Sequence, residues 1–368
     1  MKKSLIALAV LAASGAAMAQ SSVTLYGVAD AAVTYVNGLD NWTGLSSGAN
    51  KTSRLGFRGV EDLGGGLKAN FVLEGGFNLD TGDGKSGGAT DSGFQFKRQS
   101  TVGLAGNFGE VRLGRELTAA YNATARYDVF GNVGIAHSQL WDDDGKNRAT
   151  RTFDDRYRYT TNSRVSNAIT YVSPDFSGFK VAANYGFGEI AGKNSDGRYF
   201  GGGLTYDNGP LSLGLGAERM NKGDGAAMQA QASHDITAWS LGGSYDLGVA
   251  KLLAAYRQST AKDVAILGAT SDLKNRGYML AVTAPVGPGL VRAAYNRYEA
   301  KFDGEKGVTD QFGLGYVYNL SKRTSVYGTY AYIKNKNDNA LNLTVNSSSG
   351  VKSNGSQQAV QVGVTHAF

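Results

Sequence analysis

The sequence predicts an all-β protein, a sixteen-stranded antiparallel transmembrane β-barrel, and three observations lead to this fold class. Apolar and polar residues alternate over segments of about ten residues, close to the length of a tilted membrane-spanning strand. Tight turns alternate with long polar connectors. No helical periodicity is sustained after the first nineteen residues. We therefore expect one barrel domain, although 368 residues could make two or three domains of ordinary size.

Residues 1–19 have the features of a secretory signal peptide, and the barrel is predicted to occupy residues 20–368. Two lysines precede an apolar run over residues 5–13, and a small-residue Ala-Met-Ala motif ends at Ala19. The run is too short for a spanning helix, which needs about 20 apolar residues. We expect cleavage before Gln20.

The strands are predicted from a period of two. The first lies near residues 22–36, and the same alternation returns over 67–74, 179–187, 311–319 and 360–368. One face of each segment is aliphatic or aromatic, whereas the other carries glycine, Thr, Asn and charged residues. A membrane barrel turns the apolar face to lipid and the polar face to a watery lumen. A soluble β-sandwich could carry the same pattern, so the connectors have to distinguish the two.

Connector lengths favour the membrane barrel. Bacterial outer-membrane barrels have short turns on the periplasmic side and longer loops outside. The short turns are predicted at 61–66, 105–108, 173–178, 207–210, 246–248, 285–289 and 319–323, and they contain all four prolines. The long connectors are predicted at 37–53, 78–93, 116–160, 221–235, 261–274 and 335–356. Sixteen strands enclose an aqueous channel, and the first strand should pair with the last because an open sheet edge cannot face lipid.

Composition excludes several function classes. The chain has no Cys and three His, which leaves no thiolate chemistry and almost no material for imidazole catalysis or metal binding. We therefore expect neither an enzyme nor a cofactor. The net charge is +6, but the basic residues are scattered singly and no recognition helix is present, so we expect no nucleic-acid partner.

Six segments carry a family resemblance: SSVTLYGVAD (21–30), SRLGFRGVEDLGGGL (53–67), NFGEVRLGRE (107–116), YDNGPLS (206–212), NLSKRTSVYG (319–328) and VGVTHAF (362–368). They resemble the general porins of β-proteobacteria, and the resemblance spans nearly the whole chain after residue 20. It implies a sixteen-stranded barrel in the outer membrane, assembled as a homotrimer, with the long connector 116–160 (loop 3) folded into the lumen. It also implies contact with outer-membrane lipid and lipopolysaccharide, the barrel-assembly machinery, small hydrophilic solutes and inorganic ions.

The resemblance further implies a pore constriction. Its arginines correspond to Arg54 in SRLG, Arg98 in FKRQST and Arg164 in NSRVSN, and its facing acids correspond to Glu74 in strand LEG and Asp128 in loop 3. Arginine remains cationic at any physiological pH, so such a cluster would favour anions in a narrow pore.

The local alternation of polar and apolar residues predicts which face of the strand these side chains occupy, and Arg98 is the exception. Arg54 and Glu74 alternate with apolar neighbours, and Arg164 alternates with Val165, so all three are expected to point away from lipid. Arg98 instead shares its parity with the apolar Val102. Because an arginine facing lipid costs about 2–4 kcal/mol at the bilayer midplane, we expect a β-bulge between residues 100 and 102.

The final residue, Phe368, ends a strand with an apolar face and resembles the assembly signal of outer-membrane barrels. Taken together, the sequence predicts a pore for passive diffusion of small hydrophilic solutes and ions, with a preference for anions. A solute-specific channel and a closed adhesive or structural barrel are the alternatives, because both would show the same alternation.

Overall fold

The structure is a computed structural model that describes residues 22–84, 93–141, 163–223, 234–266, 269–337, 345, 349, 351 and 354–368. Within these ranges the chain forms seventeen antiparallel strands in one sheet. They are β1 (Ser22–Asn37), β2 (Trp42–Ser47), β3 (Arg54–Gly64), β4 (Leu67–Gly76), β5 (Gln99–Gly106), β6 (Gly109–Leu117), β7 (Arg164–Val172), β8 (Phe179–Gly186), β9 (Tyr199–Asn208), β10 (Leu211–Met220), β11 (Ile236–Asp246), β12 (Lys251–Ile266), β13 (Ala269–Val286), β14 (Gly289–Phe302), β15 (Glu305–Asn319), β16 (Thr324–Lys336) and β17 (Ser356–Ala367). The predicted signal peptide, residues 1–19, lies outside the described residues and stays a prediction.

The sheet closes on itself, and its wall has sixteen strand positions. One edge of β1 pairs with β17, from Val28 opposite Ala367 to Asn37 opposite Gln358. The other edge pairs first with β3 and then with the short β2, so β2 and β3 share a single position beside β1. The all-β antiparallel barrel of sixteen strands is thereby confirmed, and so is the pairing of the first strand with the last. Among the described strands, each has a partner on both edges except the short β2, which pairs with β1 alone.

Side chains alternate across the wall as the period of two predicts. On β10, Leu213 and Leu215 are 43% and 45% exposed, whereas Glu218 on the opposite face is 7% exposed. On β17, Val360, Val362 and Val364 are exposed, and the residues between them are largely buried. The barrel therefore has an exposed, apolar outer face and a polar inner face whose side chains are largely buried.

The predicted short turns are all present between the corresponding strands, but two predicted long connectors differ from the structure. Connector 37–53 contains β2, which pairs with β1, and connector 261–274 is wrong. Residues 261–274 belong to a tall hairpin in which β12 and β13 continue to residues 266 and 269. Ala261, Val264 and Leu273 are fully buried there, in an apolar cluster above the polar face. The mixed polar composition and a register shift after Ala261 break the alternation, which is why the sequence resembles a loop.

The connector between β6 and β7 contains the described helices. Helix α1 (Ala119–Thr124) begins after Thr118, whose hydroxyl accepts the N–H of Tyr121 at 3.2 Å as an N-cap. Two short 3₁₀ helices follow, Ala125–Tyr127 and Gln139–Trp141. In the described part of the chain, no helix combines the length and the apolar composition needed to cross a bilayer.

Candidate functional site

Glu74 on β4 is the centre of a cluster of charged side chains on the polar face. Its Oε1 accepts a hydrogen bond from Nε of Arg98 at 2.6 Å, and its Oε2 lies 3.5 Å from Nε of Arg54. The hydroxyl of Tyr26 on β1 donates to Oε2 at 3.0 Å, and the guanidinium of Arg58 lies 5.4 Å from the centre of the Tyr26 ring. The structure thus brings together Arg54, Arg98 and Glu74 as the sequence predicts, and it adds Tyr26 and Arg58.

Arg98 reaches this cluster without the expected bulge. The pairing of β4 with β5 runs without a shift from Glu74 opposite Gln99 to Lys68 opposite Ala105, so the prediction of a bulge between residues 100 and 102 is wrong. Strand β5 begins at Gln99, and Arg98 precedes it with its N–H bonded to the Glu74 carbonyl at 3.1 Å. Outside the strand the side chain is free of the alternation and turns to the carboxylate of Glu74.

Arg164 stands at the start of β7, next to the same segment. Its Nε donates to the carbonyl of Arg98 at 2.8 Å, and Nε of Arg115 on β6 donates to the neighbouring carbonyl of Lys97 at 2.7 Å. The predicted alternation of Arg164 with a lipid-facing Val165 is wrong, because Val165 is 7% exposed, lies opposite Glu116 and belongs to a buried cluster. A register shift in the β6–β7 pairing reverses the alternation at this point. The place of Arg164 in the constriction stays a prediction.

The carboxylate of Asp128 is held by the backbone of loop 3. It accepts the backbone N–H groups of Phe130 at 3.0 Å and of Asn132 and Ser138 at 2.9 Å. All the hydrogen bonds of this carboxylate remain within loop 3, in the part of the chain described. Asp128 therefore organises the loop, and its place opposite the arginines stays a prediction.

The charged cluster is positive. Four guanidinium groups, those of Arg54, Arg58, Arg98 and the adjacent Arg164, and one carboxylate, Glu74, sum to three positive units.

Loop 3 lies between β6 and β7, residues 118–163, and its described part packs along the polar face of β8 to β15. Strand glycines make room for it. A Cβ atom added at these glycines would lie only 2.0–3.1 Å from an atom of loop 3. The glycine track, as we call this set, consists of Gly203, Gly214, Gly216, Gly242, Gly277, Gly313 and Gly315.

Polar contacts hold loop 3 at several points on the wall. Thr124 is hydrogen-bonded to Ser240 on β11 at 2.8 Å. The hydroxyl of Tyr127 is hydrogen-bonded to Ser212 on β10 at 2.9 Å, and burial raises the pKa of this phenol, so it stays neutral. Further attachments are made by Ala119 with Asn184, Arg126 with Asp207, Gln139 with Tyr298, Val129 with Arg292, and His137 with Gln311.

Comparison with known proteins now decides the family. The family model described as Gram-negative porin matches residues 5–338, most of the chain. The chain belongs to the Gram-negative porin family. It is 45% identical to outer membrane porin protein 32 of Delftia acidovorans over the full length of both chains. It is 32% identical to an outer membrane porin protein of Bordetella pertussis, across 91% of this chain and 95% of that relative.

Solved structures agree with the barrel. The porin resembles the anion-selective porin from Comamonas acidovorans with a TM-score of 0.78 and 41% identity, over 95% of this chain and all of that one. The trimer form of OmpT of Vibrio cholerae has a TM-score of 0.65 at 17% identity, over 95% and 99% of the two chains, and shares the fold alone.

Family membership orients the barrel. As a porin, the chain is a multi-pass protein of the outer membrane and a channel, which confirms the expectation that it is not an enzyme. The exposed apolar face is then the lipid face, and the polar face lines the lumen. The Glu74 cluster and the described residues of loop 3 at the glycine track lie against this polar face.

Proposed function

We propose that this porin is a passive-diffusion pore with a preference for small anions, and that Arg54, Arg98, Arg164 and Glu74 line its constriction opposite loop 3. The observation that carries the proposal is the net positive charge of this cluster on the lumen face. Fixed charges in a narrow, low-dielectric pore concentrate ions of the opposite sign. The name of the Comamonas acidovorans structure, an anion-selective porin, supports the same preference. Asp128 contributes to this constriction by shaping loop 3.

The test is a planar-bilayer recording of the purified porin in a potassium chloride gradient. A reversal potential displaced toward the chloride equilibrium potential is expected, since chloride should carry most of the current. A reversal potential at or beyond zero in the potassium direction would contradict the anion preference.

A solute-specific channel remains the alternative, whereas membership of the porin family rules out a closed adhesive barrel. Liposome swelling separates the two kinds of pore, because a general pore admits small sugars and amino acids in order of size. A specific channel would admit one solute far faster than others of equal size.

We also propose the assembly route that the resemblance implies: cleavage of residues 1–19, insertion by the barrel-assembly machinery, and a homotrimer. The role of Phe368 in assembly is supported by its backbone hydrogen bonds with Gly27, at 3.0 and 3.1 Å. These bonds extend the pairing of β1 with β17, which closes the barrel, to Phe368. The trimer form of OmpT, a protein with the same fold, supports the oligomeric state.

The lipid partner is supported by a basic patch on the outer face of β13 to β16, at the end away from the short turns. Lys274 lies directly opposite Lys301, and Lys301 lies directly opposite Lys306. Like charges in such positions destabilise a sheet unless an anion compensates them. Among the described residues, Glu299 compensates Lys306 at 2.9 Å, and Lys274 and Lys301 have no ion-pair partner. Just below, Tyr278 and Tyr295 belong to an aromatic belt of the kind found at the lipid headgroup level. We propose that this patch binds the phosphate groups of lipopolysaccharide.

This lipid contact can be measured directly. Changing the three lysines to Gln should lower the amount of diphosphorylated lipid A that remains bound to the purified porin. The matched control changes Lys180, Lys251 and Lys322, which lie at the opposite rim, to Gln. Equal retention of lipid A by the two variants would contradict the proposed contact.

A further inference from the structure

We propose that Asp30 is a positioning residue for the pore: it holds the turn 48–53, and this turn fixes the far tip of loop 3 beside Arg54. The inference rests on the proposed function, because it assumes that loop 3 narrows the channel. It concerns a carboxylate that the constriction does not include and that sequence reasoning did not single out.

Asp30 on β1 is fully buried, and its carboxylate is saturated with donors. Three of these donors are consecutive backbone N–H groups of the turn, and two are hydroxyl groups of the neighbouring strands. They are Ala49 N at 2.6 Å, Asn50 N at 3.2 Å, Lys51 N at 3.2 Å, the Tyr327 hydroxyl at 2.9 Å and the Thr365 hydroxyl. A run of backbone N–H groups that converges on one carboxylate stabilises the fold of the turn through charge-assisted hydrogen bonds.

The turn interrupts the wall at a defined place. Gly48 N donates to the Asp30 carbonyl at 2.8 Å, and the Ser53 hydroxyl donates to the same carbonyl at 3.0 Å, so both ends of the turn are tied to Asp30. Ala49 is 8% exposed and Ser53 is 1% exposed. The six residues that separate β2 from β3 are therefore packed on the lumen side of β1, where Asp30 lies.

The turn is in contact with loop 3 at Gly134. A Cβ atom added at Gly134 would lie 2.2 Å from the Ala49 carbonyl oxygen and 3.1 Å from Oε1 of Gln361. The backbone of the loop therefore rests directly on the turn. At its other end the turn continues from Ser53 into Arg54, the first arginine of the proposed constriction. One carboxylate thus sets the spacing between the loop tip and the basic wall.

Neutralising Asp30 should loosen this arrangement. An Asn side chain at this position offers one carbonyl oxygen, so it cannot accept all five donors, and buried N–H groups of the turn would lose their acceptor. The turn would then relax, and the tip of loop 3 would no longer have a fixed support. Barrel closure should survive, because the β1–β17 ladder is made by backbone groups.

The experiment compares six variants of the full-length porin by single-channel conductance and by the heat stability of its assembled form. Asp30→Asn and Gly134→Ala disturb the contact between the turn and loop 3 from its two sides, and each should change the conductance by about 1.5-fold or more. Gly131→Ala is the matched control, since Gly131 has a similar φ of +68° but open space around an added Cβ. Tyr327→Phe removes one hydroxyl donor to Asp30 and leaves the three N–H groups of the turn bound to it, so it should lower heat stability and change the conductance less than Asp30→Asn.

The double variant Asp30→Asn with Gly134→Ala should have the conductance of a single variant, because coupled sites are not additive. If Asp30→Asn lowers heat stability at wild-type conductance, Asp30 only strengthens the barrel and the inference is wrong. Gly214→Ala, which disturbs loop 3 at a different point, separates this failure from failure of the proposed constriction. A conductance change in Gly214→Ala alone would leave the constriction standing and overturn the role of Asp30. Wild-type conductance in all the variants would refute both.

Discussion

Replacing Arg54, Arg98 and Arg164 together by Gln should abolish the anion preference of the pore. In the wild type these three guanidinium groups, that of Arg58 and the Glu74 carboxylate carry three net positive charges. After the replacement, Arg58 and Glu74 remain, and their charges cancel. The local field therefore falls to near zero, while the side chains keep a similar length.

The size of the effect follows from Coulomb's law. An ion that passes about 7 Å from the cluster in water interacts with each unit charge by about 0.6 kcal/mol. Screening at 0.1 M salt halves this value roughly, because the Debye length is about 10 Å. Three charges then separate an anion from a cation by about 1.8 kcal/mol, which is about a twentyfold preference for the anion. The triple variant, whose cluster has no net charge, should show little preference.

The assay is the reversal potential of single channels in a salt gradient centred near 0.1 M. The wild-type value should lie toward the chloride equilibrium potential, and the value of the variant should lie near zero. At about 1 M salt, where the Debye length is about 3 Å, the wild-type preference should fall to about twofold. Changing Arg198, Arg219 and Arg276 to Gln removes the same number of charges from the outer face and should have little effect. Equal shifts in the two triple variants would show that net charge, and not the cluster, sets the selectivity.

Three other predictions follow from the fold. Gly214→Ala should change the conductance in bilayer recordings, because the added Cβ would lie 2.0 Å from a carbonyl oxygen of loop 3. The control Gly328→Ala has open space around its Cβ and should leave the conductance unchanged. Deleting Phe368 should reduce the heat-modifiable trimer in outer-membrane fractions, and wild-type levels would count against its role in the seam and in assembly. Because the chain has no native Cys, Glu305→Cys should react with an impermeant maleimide on intact cells and Lys322→Cys should not; the reverse pattern would invert the topology.

The wall could be predicted from the sequence because each strand follows a local rule. Alternation alone identifies the lipid face, and short turns with proline mark the strand ends. The number of strands and the pairing of β1 with β17 could therefore be predicted. The rule fails where a strand is irregular. Val165 is apolar but lies on the lumen side after a register shift, and a bulge of this kind leaves no mark in the spacing of apolar residues.

The site was predictable only in part, for a related reason. Arg54 and Glu74 sit on regular strands, so parity places both on the polar face. Asp128 sits in loop 3, where the side chain binds whichever backbone groups the loop presents, and no periodicity governs that choice. Asp30 was hidden because a single acid on a polar face resembles any solvated residue; its partners are distant in sequence, such as Thr365.

The glycine track has a consequence for how porins of this kind can be rebuilt or can diverge. The wall of β9 to β15 is complementary in shape to one particular loop. Its glycines, which have no side chain, lie along the path of the loop 3 backbone from Ala119 to Leu140. A loop that follows a different backbone path, transplanted from a relative, would leave cavities beside the glycine track. It would also clash with side chains of the wall wherever it crosses them. Loop and wall must therefore change together. A chimera should show one uniform open-channel conductance only when the strand glycines that match the transplanted loop are introduced with it.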